Sequence, residues 1–129
     1  MNRVDKIIAC RPSIASKDMM NISDEEKFQN EVLRPILKFQ NNLLIRLFLS
    51  KCKNYKINFT QFNTEERFSF IEKTLTKDSK LRTLFIGTIV AFFTLEEYEK
   101  YEENQQAYNK RIIQMLSERL KEQTADLDV

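Results

Sequence analysis

Residues 31–49 read EVLRPILKFQNNLLIRLFL, and this stretch decides the fold. Its apolar residues recur at helical spacing, and from Leu43 onward Arg46 is its one charged residue. A helix that is apolar on most of its sides must be covered by partners on several sides. The stretch therefore predicts the central helix of a small bundle, with the rest of the chain supplying the helices that pack around it.

The composition also favours helices over strands. The chain has 129 residues, with one glycine and two prolines. Sheet proteins need many tight turns, and those turns use glycine and proline heavily. A chain of this length suits one domain with its own hydrophobic core. We therefore predict a single-domain, all-α helical bundle of about four main helices.

Three helix-start signals divide the chain. Ser23, Asn63 and Thr94 are each followed three residues later by a glutamate. This spacing is typical of a capping box, in which the first side chain accepts a hydrogen bond from the helix and the glutamate reaches back. The last of the three signals opens a final helix that is expected to run to about Glu122.

Pro35 lies inside the first long helix, which is expected over about residues 24–51. Proline has no N–H, so it removes the hydrogen bond to the Glu31 carbonyl and crowds that turn. The helix must kink near Pro35, or break and restart with Pro35 in its first turn. Because the apolar spacing stays in phase across Pro35, we predict the kink.

The one glycine, Gly87, lies in the middle of another predicted helix. A glycine in the middle of a helix costs about 1 kcal/mol relative to alanine. Its presence there predicts a place where a neighbouring helix approaches closely.

The ends of the chain differ from the predicted bundle, which covers residues 23–123. Residues 1–22 mix apolar and polar types and contain the pair Arg11-Pro12. The residue before proline avoids the α region, so we predict an N-terminal arm that lies across the bundle or frays. Residues 124–129 are predicted to be a disordered tail.

The composition argues against several function classes. Histidine is absent, which removes the commonest general acid–base and metal ligand, and we predict no metal and no cofactor. Cys10 and Cys52 form no CxxC pair and are predicted to be reduced thiols of a cytoplasmic protein. The apolar run Leu84–Phe93 is about half of the roughly 20 residues that span a bilayer, so no membrane contact is expected. The net charge of +2 gives no indication of nucleic acid binding.

Five glutamates crowd the start of the final helix: Glu96, Glu97, Glu99, Glu102 and Glu103. The last three share one helical face. A carboxylate metal site in a bundle usually needs acidic residues on several helices together with histidines. We therefore favour a solvated face beside the helix N-terminus over a metal site.

Polar residues also interrupt the apolar helices. They are Gln29, Arg34, Gln40, Asn41, Arg46, Arg82 and Arg111. Long polar side chains at such positions reach the surface or pair with acids such as Glu31 and Glu97. The alternative is that several of them converge on one polar pocket.

Several strings of the sequence stand out together. They are FQNEVLRPILKFQNNLL at 28–44, FTLEEYEKY at 93–101 and NKRIIQML at 109–116, with Leu81-Arg82 and Gly87 between them. In these strings the chain resembles a family of small, uncharacterised, all-helical bacterial proteins that automatic pipelines sometimes label glyoxalase. The resemblance implies that label, and it implies that a shared site would use residues of these strings. Those residues are Arg34, Pro35, Arg82, Gly87, Glu97, Tyr101 and Arg111.

We predict a small cytoplasmic helical module that binds a ligand or a protein partner without catalysis. The residues expected to bind a small polar ligand are Arg34, Arg82, Glu97, Tyr101 and Arg111. The alternative is the glyoxalase label or another small-molecule enzyme, with Glu97 paired with Arg82 or Arg111 around a small polar substrate. Metal-dependent glyoxalases use histidine and glutamate ligands on a β-rich scaffold, which this sequence does not indicate.

A homodimer through the final helix is also predicted. Tyr98, Tyr101, Gln105, Tyr108, Ile112 and Met115 follow steps of three and four residues and form a heptad-like seam. Tyrosine and methionine are enriched in interface cores, and one packing partner covers only part of such a stripe. Two-fold pairing would cover the rest. The competing explanation is that the N-terminal arm covers it.

Overall fold

The computed structural model describes residues 2–12 and 23–124, and in these ranges it is entirely helical, without a strand. The α-helices are α1 (Arg3–Cys10), α2 (Asp24–Phe28), α3 (Arg34–Asn54), α4 (Thr64–Lys77), α5 (Ser79–Val90), α6 (Leu95–Glu102) and α7 (Gln105–Glu122). A π-helical turn (Gln29–Leu33) joins α2 to α3, and a 3-10 turn (Phe59–Gln61) precedes α4. The all-α prediction is confirmed.

The finer predictions of architecture are not confirmed in the same way. When α2, the π turn and α3 are counted as one long helix, the described ranges hold six helices, against about four main helices predicted. Residues 13–22 of the predicted arm and 125–129 of the predicted tail lie outside the described residues. The predicted domain boundaries therefore stay predictions.

The three start signals all cap helices. The Ser23 side chain accepts a hydrogen bond from the third N–H of α2, at 3.1 Å. Asn63 and Thr94 begin α4 and α6 in complete capping boxes, because the glutamate three residues later also accepts from the N–H of the cap. Each cap satisfies N–H groups that the first turn of a helix leaves without partners.

The π turn lies immediately before Pro35 in the long helix. In it, the N–H of Arg34 donates to the carbonyl of Gln29, five residues earlier. The wider turn changes the hydrogen-bond pairing at the point where proline supplies no N–H. The first turn of α3 contains Pro35 and follows directly, without a loop. The kink itself stays a prediction.

The interior is built on the long helix and α7. Leu33, Leu37 and Phe48 are fully buried, and burying each such side chain contributes roughly 1.5–3 kcal/mol. α3 packs against α5, and α7 packs against α4, α5 and α6. Phe39 and Leu43 remain 45% and 48% exposed, so the long helix is covered on several sides but not on all.

Arg67 ties the connector before α4 to the end of α7. Its guanidinium is buried and donates to the carbonyls of Thr60, Phe62 and Thr124, at 3.1, 3.1 and 2.5 Å. It also lies 5.2 Å from the centre of the Phe59 ring. A buried arginine is stable only when its charge and donors are satisfied in this way.

The final helix is split in two, which corrects the prediction of one helix reaching Glu122. Between α6 and α7, Asn104 leaves the helical conformation, with φ −155° and ψ 66°. Its side chain accepts a hydrogen bond from the Ala107 N–H and caps α7. The apolar spacing does not reveal this break, because the residues on its two sides, Tyr101 and Tyr108, are both buried.

Gly87 does not mark a close approach of helices, which corrects a second prediction. It lies on the exposed face of α5, and a Cβ atom placed on it would meet nothing within 4 Å. The position has ordinary helical backbone with free space beside it.

α1 is tied to the bundle mainly by Arg11, the residue after its end. The Arg11 guanidinium donates to both carboxylate oxygens of Glu97, at 2.8 and 2.5 Å, and to the Phe92 carbonyl at 3.0 Å. Arg3 donates one exposed hydrogen bond of 3.3 Å to the Ala91 carbonyl. Ile7 of α1 is buried. An ion pair between partly buried groups is thus the main polar contact between α1 and α6.

The Gly87→Ala substitution should stabilise the protein by about 0.5–1 kcal/mol, because alanine loses less backbone entropy and meets no neighbour. Urea unfolding followed by circular dichroism measures the change. Lys80→Ala, on an exposed position of the same helix, is the control and should stay within about 0.5 kcal/mol of the wild type. A loss of stability in Gly87→Ala would mean that a neighbour does approach this position.

Arg11→Ala should lower the free energy of unfolding by about 1–3 kcal/mol at neutral pH, because it removes donors from a partly buried carboxylate. Burial raises the pKa of Glu97, but hydrogen bonds from Arg11 and the Thr94 N–H outweigh it and hold this pKa below its ordinary value. A lowered pKa stabilises the fold above the unfolded-state value and loses this effect as pH falls through the folded-state value. The difference between the two proteins should therefore shrink below pH 4.5, the ordinary pKa.

Urea unfolding at a series of pH values tests this expectation. Arg3→Ala removes one exposed hydrogen bond on the same helix and is the matched control, with an expected change below about 0.5 kcal/mol. An Arg11→Ala difference that does not vary with pH would show that Arg11 acts through the Phe92 carbonyl and not through Glu97.

Candidate functional site

Arg82, one of the predicted ligand-binding residues, holds the end of α4. Its Nη1 atom donates to the carbonyls of Leu75 at 3.1 Å and Thr76 at 2.5 Å, in the last turn of that helix. Carbonyls at a helix C-terminus have no partner within the helix, and a guanidinium satisfies them. Arg82 therefore joins α5 to α4, and its position follows from the needs of the fold.

Glu97 and Tyr101 lie one turn apart on α6 and also have partners within the fold. Glu97 completes the cap of α6 and binds Arg11. Tyr101 is buried, its hydroxyl donates to the side-chain oxygen of Asn109, and burial raises the pKa of this tyrosine. Its ring packs edge-on against Phe93, with 5.6 Å between the ring centres. Both residues stabilise the end of the bundle where α1, α6 and α7 meet.

The five predicted residues are not gathered at one place. Arg111 is exposed on α7. Arg34 alone of the five lines the groove between α3 and α7, and Glu97 alone of the five lines the groove beside α1. No groove described here is lined by more than one of the five.

The groove between the long helix and α7 has a volume of about 330 Å³, and we call it the basic groove. The residues that line it are Gln29, Arg34 and Lys38 from the long helix, and Met115, Glu118, Arg119 and Glu122 from α7. Three cationic side chains thus meet across two helices. Gln29 and Arg34 belong to the polar residues for which the sequence suggested convergence.

The π turn sets the position of the first wall of the basic groove. Gln29 is the first residue of that turn, and Arg34 follows its last residue. Lys38 lies four residues after Arg34, so the two cationic side chains share one face of α3. A π turn contains one more residue than an α turn and shifts the faces that follow it, and such turns often occur at functional sites.

A network of amides holds Arg119 on the opposite wall. Its Nη2 atom donates to Asn41 Oδ1 at 3.2 Å. The side chains of Asn41 and Gln123 pair reciprocally, each nitrogen donating to the other oxygen at 2.8 Å, and Gln123 also donates to the Arg119 carbonyl at 3.0 Å. A side chain held by its neighbours loses little freedom when a ligand binds.

Charges of both signs act on Arg119 in the basic groove. Burial lowers the pKa of Arg119, the charge of Glu122 raises it, and the charge of Arg34 lowers it. The guanidinium groups of Arg34 and Arg119 therefore repel each other, and a negative group placed between them would stabilise both. Within the described residues, Arg119 Nε is buried without a hydrogen-bond partner. The arrangement suits an anion.

The two thiols differ in their surroundings. Cys10 is exposed and Cys52 is buried, and both are free thiols. Burial raises the pKa of Cys52 to about 11, so this thiol is protonated at neutral pH and is a poor nucleophile. Across residues 2–12 and 23–124, no three His, Cys, Asp or Glu side chains are grouped to hold a metal ion. No helix in this part of the chain has both the length and the apolar content needed to cross a membrane.

The seam predicted to form a dimer is buried within one chain. Tyr101, Tyr108 and Ile112 are 5%, 7% and 0% exposed, whereas Gln105 is exposed. α4 and α5 pack against α7, and the described part of the N-terminal arm contacts α6, the helix that contains Tyr98 and Tyr101 of the seam. The dimer stays a prediction. It was argued from an apolar stripe expected to be exposed, and Tyr101, Tyr108 and Ile112 of that stripe are buried by the protein's own helices.

Several charged residues at these sites were not predicted as site residues from the sequence: Lys38, Glu118, Arg119 and Glu122 of the basic groove, and Arg11. Arg119 had a signal, because it continues the steps of three and four residues in which Tyr108, Ile112 and Met115 are buried. Lys38 had a weaker one, since it lies one turn after Arg34. Arg11 had none, because its partner Glu97 is 86 positions away in the sequence.

No model of a known protein family, no curated protein and no solved structure matches this chain. The resemblance to the helical family labelled glyoxalase therefore stays a prediction.

Proposed function

We propose that this protein is a non-catalytic binding module that holds a small polar ligand with an anionic group in the basic groove. One observation carries the proposal: Arg34 and Lys38 on α3 meet Arg119 on α7 across a groove of about 330 Å³. Glu118 and Glu122 line the same groove, so three cations face two carboxylates there, and a bound anion would bring the local charge closer to balance. Small-molecule pockets typically have volumes of about 300–1,000 Å³, and this groove lies at the lower end.

The remaining lining residues narrow the chemistry of the ligand. Glu118 and Glu122 accept hydrogen bonds, and the amide of Gln29 both donates and accepts. A ligand with an anionic group and a hydroxyl or ammonium group would use both kinds of contact. Met115, which is 9% exposed, supplies a small apolar floor. We therefore infer a small hydroxy acid, amino acid or phosphorylated molecule as the class of ligand.

The enzyme alternative has less support. It requires the Glu97 carboxylate beside Arg82 or Arg111, but Arg11 occupies that carboxylate and Arg82 binds carbonyls of α4. A metal-dependent glyoxalase would further need histidine ligands, and the sequence contains no histidine. Binding is therefore the function that we propose.

Three finer predictions also remain proposals. We propose a cytoplasmic protein, because two free thiols are typical of a reducing compartment. We propose that the long helix bends at the π turn before Pro35, where the regular hydrogen-bond pairing changes. We also propose a homodimer or another protein partner. Its interface would not be the seam on α6 and α7, because Tyr101, Tyr108 and Ile112 are buried within one chain.

Malate should bind the wild-type protein and raise its free energy of unfolding by about 1.4 kcal/mol when its concentration is ten times the dissociation constant. Arg34→Gln should weaken malate binding about tenfold or more, because a hydrogen bond to a charged group contributes roughly 1.5–3 kcal/mol. Isothermal titration calorimetry measures the affinity. NMR shifts of Gln29 and Arg119 report where the ligand lies.

Arg111→Gln is the matched control, because it removes the same charge from an exposed position on α7 outside the groove. It should leave the affinity unchanged, and inorganic phosphate should compete with malate in both the control and the wild type. Equal affinities of Arg34→Gln and Arg111→Gln would contradict the proposal, because the anion would then sense only the net charge of the protein.

A further inference from the structure

A second groove, of opposite charge, lies between α1, the start of the long helix and α6. Its volume is about 530 Å³, and we call it the acidic groove. The residues that matter to its chemistry are Val4, Ile8, Glu31, Glu96, Glu99 and Glu103. Its volume is larger than that of the basic groove, and the two grooves share no lining residue.

One lip of the acidic groove is apolar. Val4 and Ile8 lie four residues apart on α1 and are 45% and 48% exposed, whereas Ile7 on the same helix is buried. Below them, Phe28 and Val32 form an apolar floor and are 4% and 6% exposed. Aliphatic side chains held half exposed beside a groove provide contact area for an apolar partner.

The other lip is negative: Glu31, Glu96, Glu97, Glu99 and Glu103 line the groove, and Lys100 is the one cationic side chain among its lining residues. Glu97 is the one lining carboxylate that forms an ion pair among the described residues, and its partner is Arg11. Glu99 and Glu103 lie one turn apart, where like charges repel, and Glu103 is at the C-terminal end of α6, where the helix dipole disfavours negative charge. Helix stability explains an acid in the first turn, such as Glu96, but not these two.

Tyr108 shows that further acids gather at this end of the molecule. Burial raises the pKa of Tyr108, and Lys100 lowers it. The carboxylates of Glu25, Glu103 and Asp24 each raise it, so all three lie close enough to Tyr108 to act on it. The whole chain carries a formal charge of +2, so this negative end results from the placement of charges and not from an acidic composition.

We propose that the acidic groove is a docking site for a short, basic, amphipathic helix of a protein partner. Lysine or arginine side chains of that helix would pair with Glu31, Glu99 and Glu103, and its apolar face would cover Val4 and Ile8. A helix in a groove is recognised by residues at the same three- and four-residue spacing. A metal ion or a small polyamine would use the carboxylates but would leave the apolar lip without a role.

The test uses the full chain and an amphipathic peptide of lysine and leucine about four helical turns long. Fluorescence anisotropy measures its affinity, and a scrambled peptide of the same composition has no apolar face. The wild type should bind the amphipathic peptide about tenfold more tightly than the scrambled one, because only the first fits both lips. The combined change Glu99→Gln with Glu103→Gln should weaken binding about fivefold or more.

The combined change Glu65→Gln with Glu102→Gln is the matched control, because both glutamates are exposed and neither lines the groove. Its affinity should equal that of the wild type, and Ile8→Ser should weaken binding without altering the thermal melting curve. Equal affinities for the two peptides, or an effect of the control variant equal to that of the groove variant, would overturn the proposal in favour of unspecific attraction. An unchanged affinity in Ile8→Ser would overturn it in favour of a small cation.

Discussion

A proline inside the long helix that carries much of the core is the constraint on which the rest of the structure depends. Pro35 has no N–H, so a regular helix would lose a hydrogen bond and meet a clash at this point. A π turn precedes the proline, and in it the N–H of Arg34 donates to the carbonyl of Gln29, five residues earlier. The same turn shifts the residues that follow it and places Gln29 and Arg34 at the edge of the basic groove. One local adjustment thus serves both the packing of Leu33 and Leu37 and the shape of a binding surface.

The parts of the fold that could be predicted are those encoded in a few consecutive residues. Ser23 and Thr94 cap helices as predicted, because a cap needs only a side chain and the next few N–H groups. The break at Asn104 was missed because the buried positions on its two sides keep the helical spacing. The prediction for Gly87 was wrong because a sequence does not show what lies opposite a glycine. In the structure, open space lies there and not a neighbouring helix.

The candidate sites were harder to predict because they depend on pairs that are distant in sequence. Arg34 could be singled out as a polar residue in an apolar helix, but its partner Arg119 comes from the last helix. Glu97 could be singled out from the acidic cluster, but Arg11, which neutralises it, lies in the predicted arm. The net charge does not indicate either groove. The 21 basic and 19 acidic residues sum to nearly zero, although the two grooves carry opposite charge.

The contrast between the two cysteines has a practical consequence for watching α1 in solution. Cys10 is exposed at the end of that helix, next to Arg11, whereas Cys52 is buried with a thiol pKa raised to about 11. Thiol reagents attack the thiolate, so at neutral pH they should modify Cys10 long before Cys52. The natural sequence therefore contains a single accessible attachment point for a fluorophore or spin label. A label there would sit beside the ion pair that joins α1 to α6, and would report its opening without any engineered cysteine.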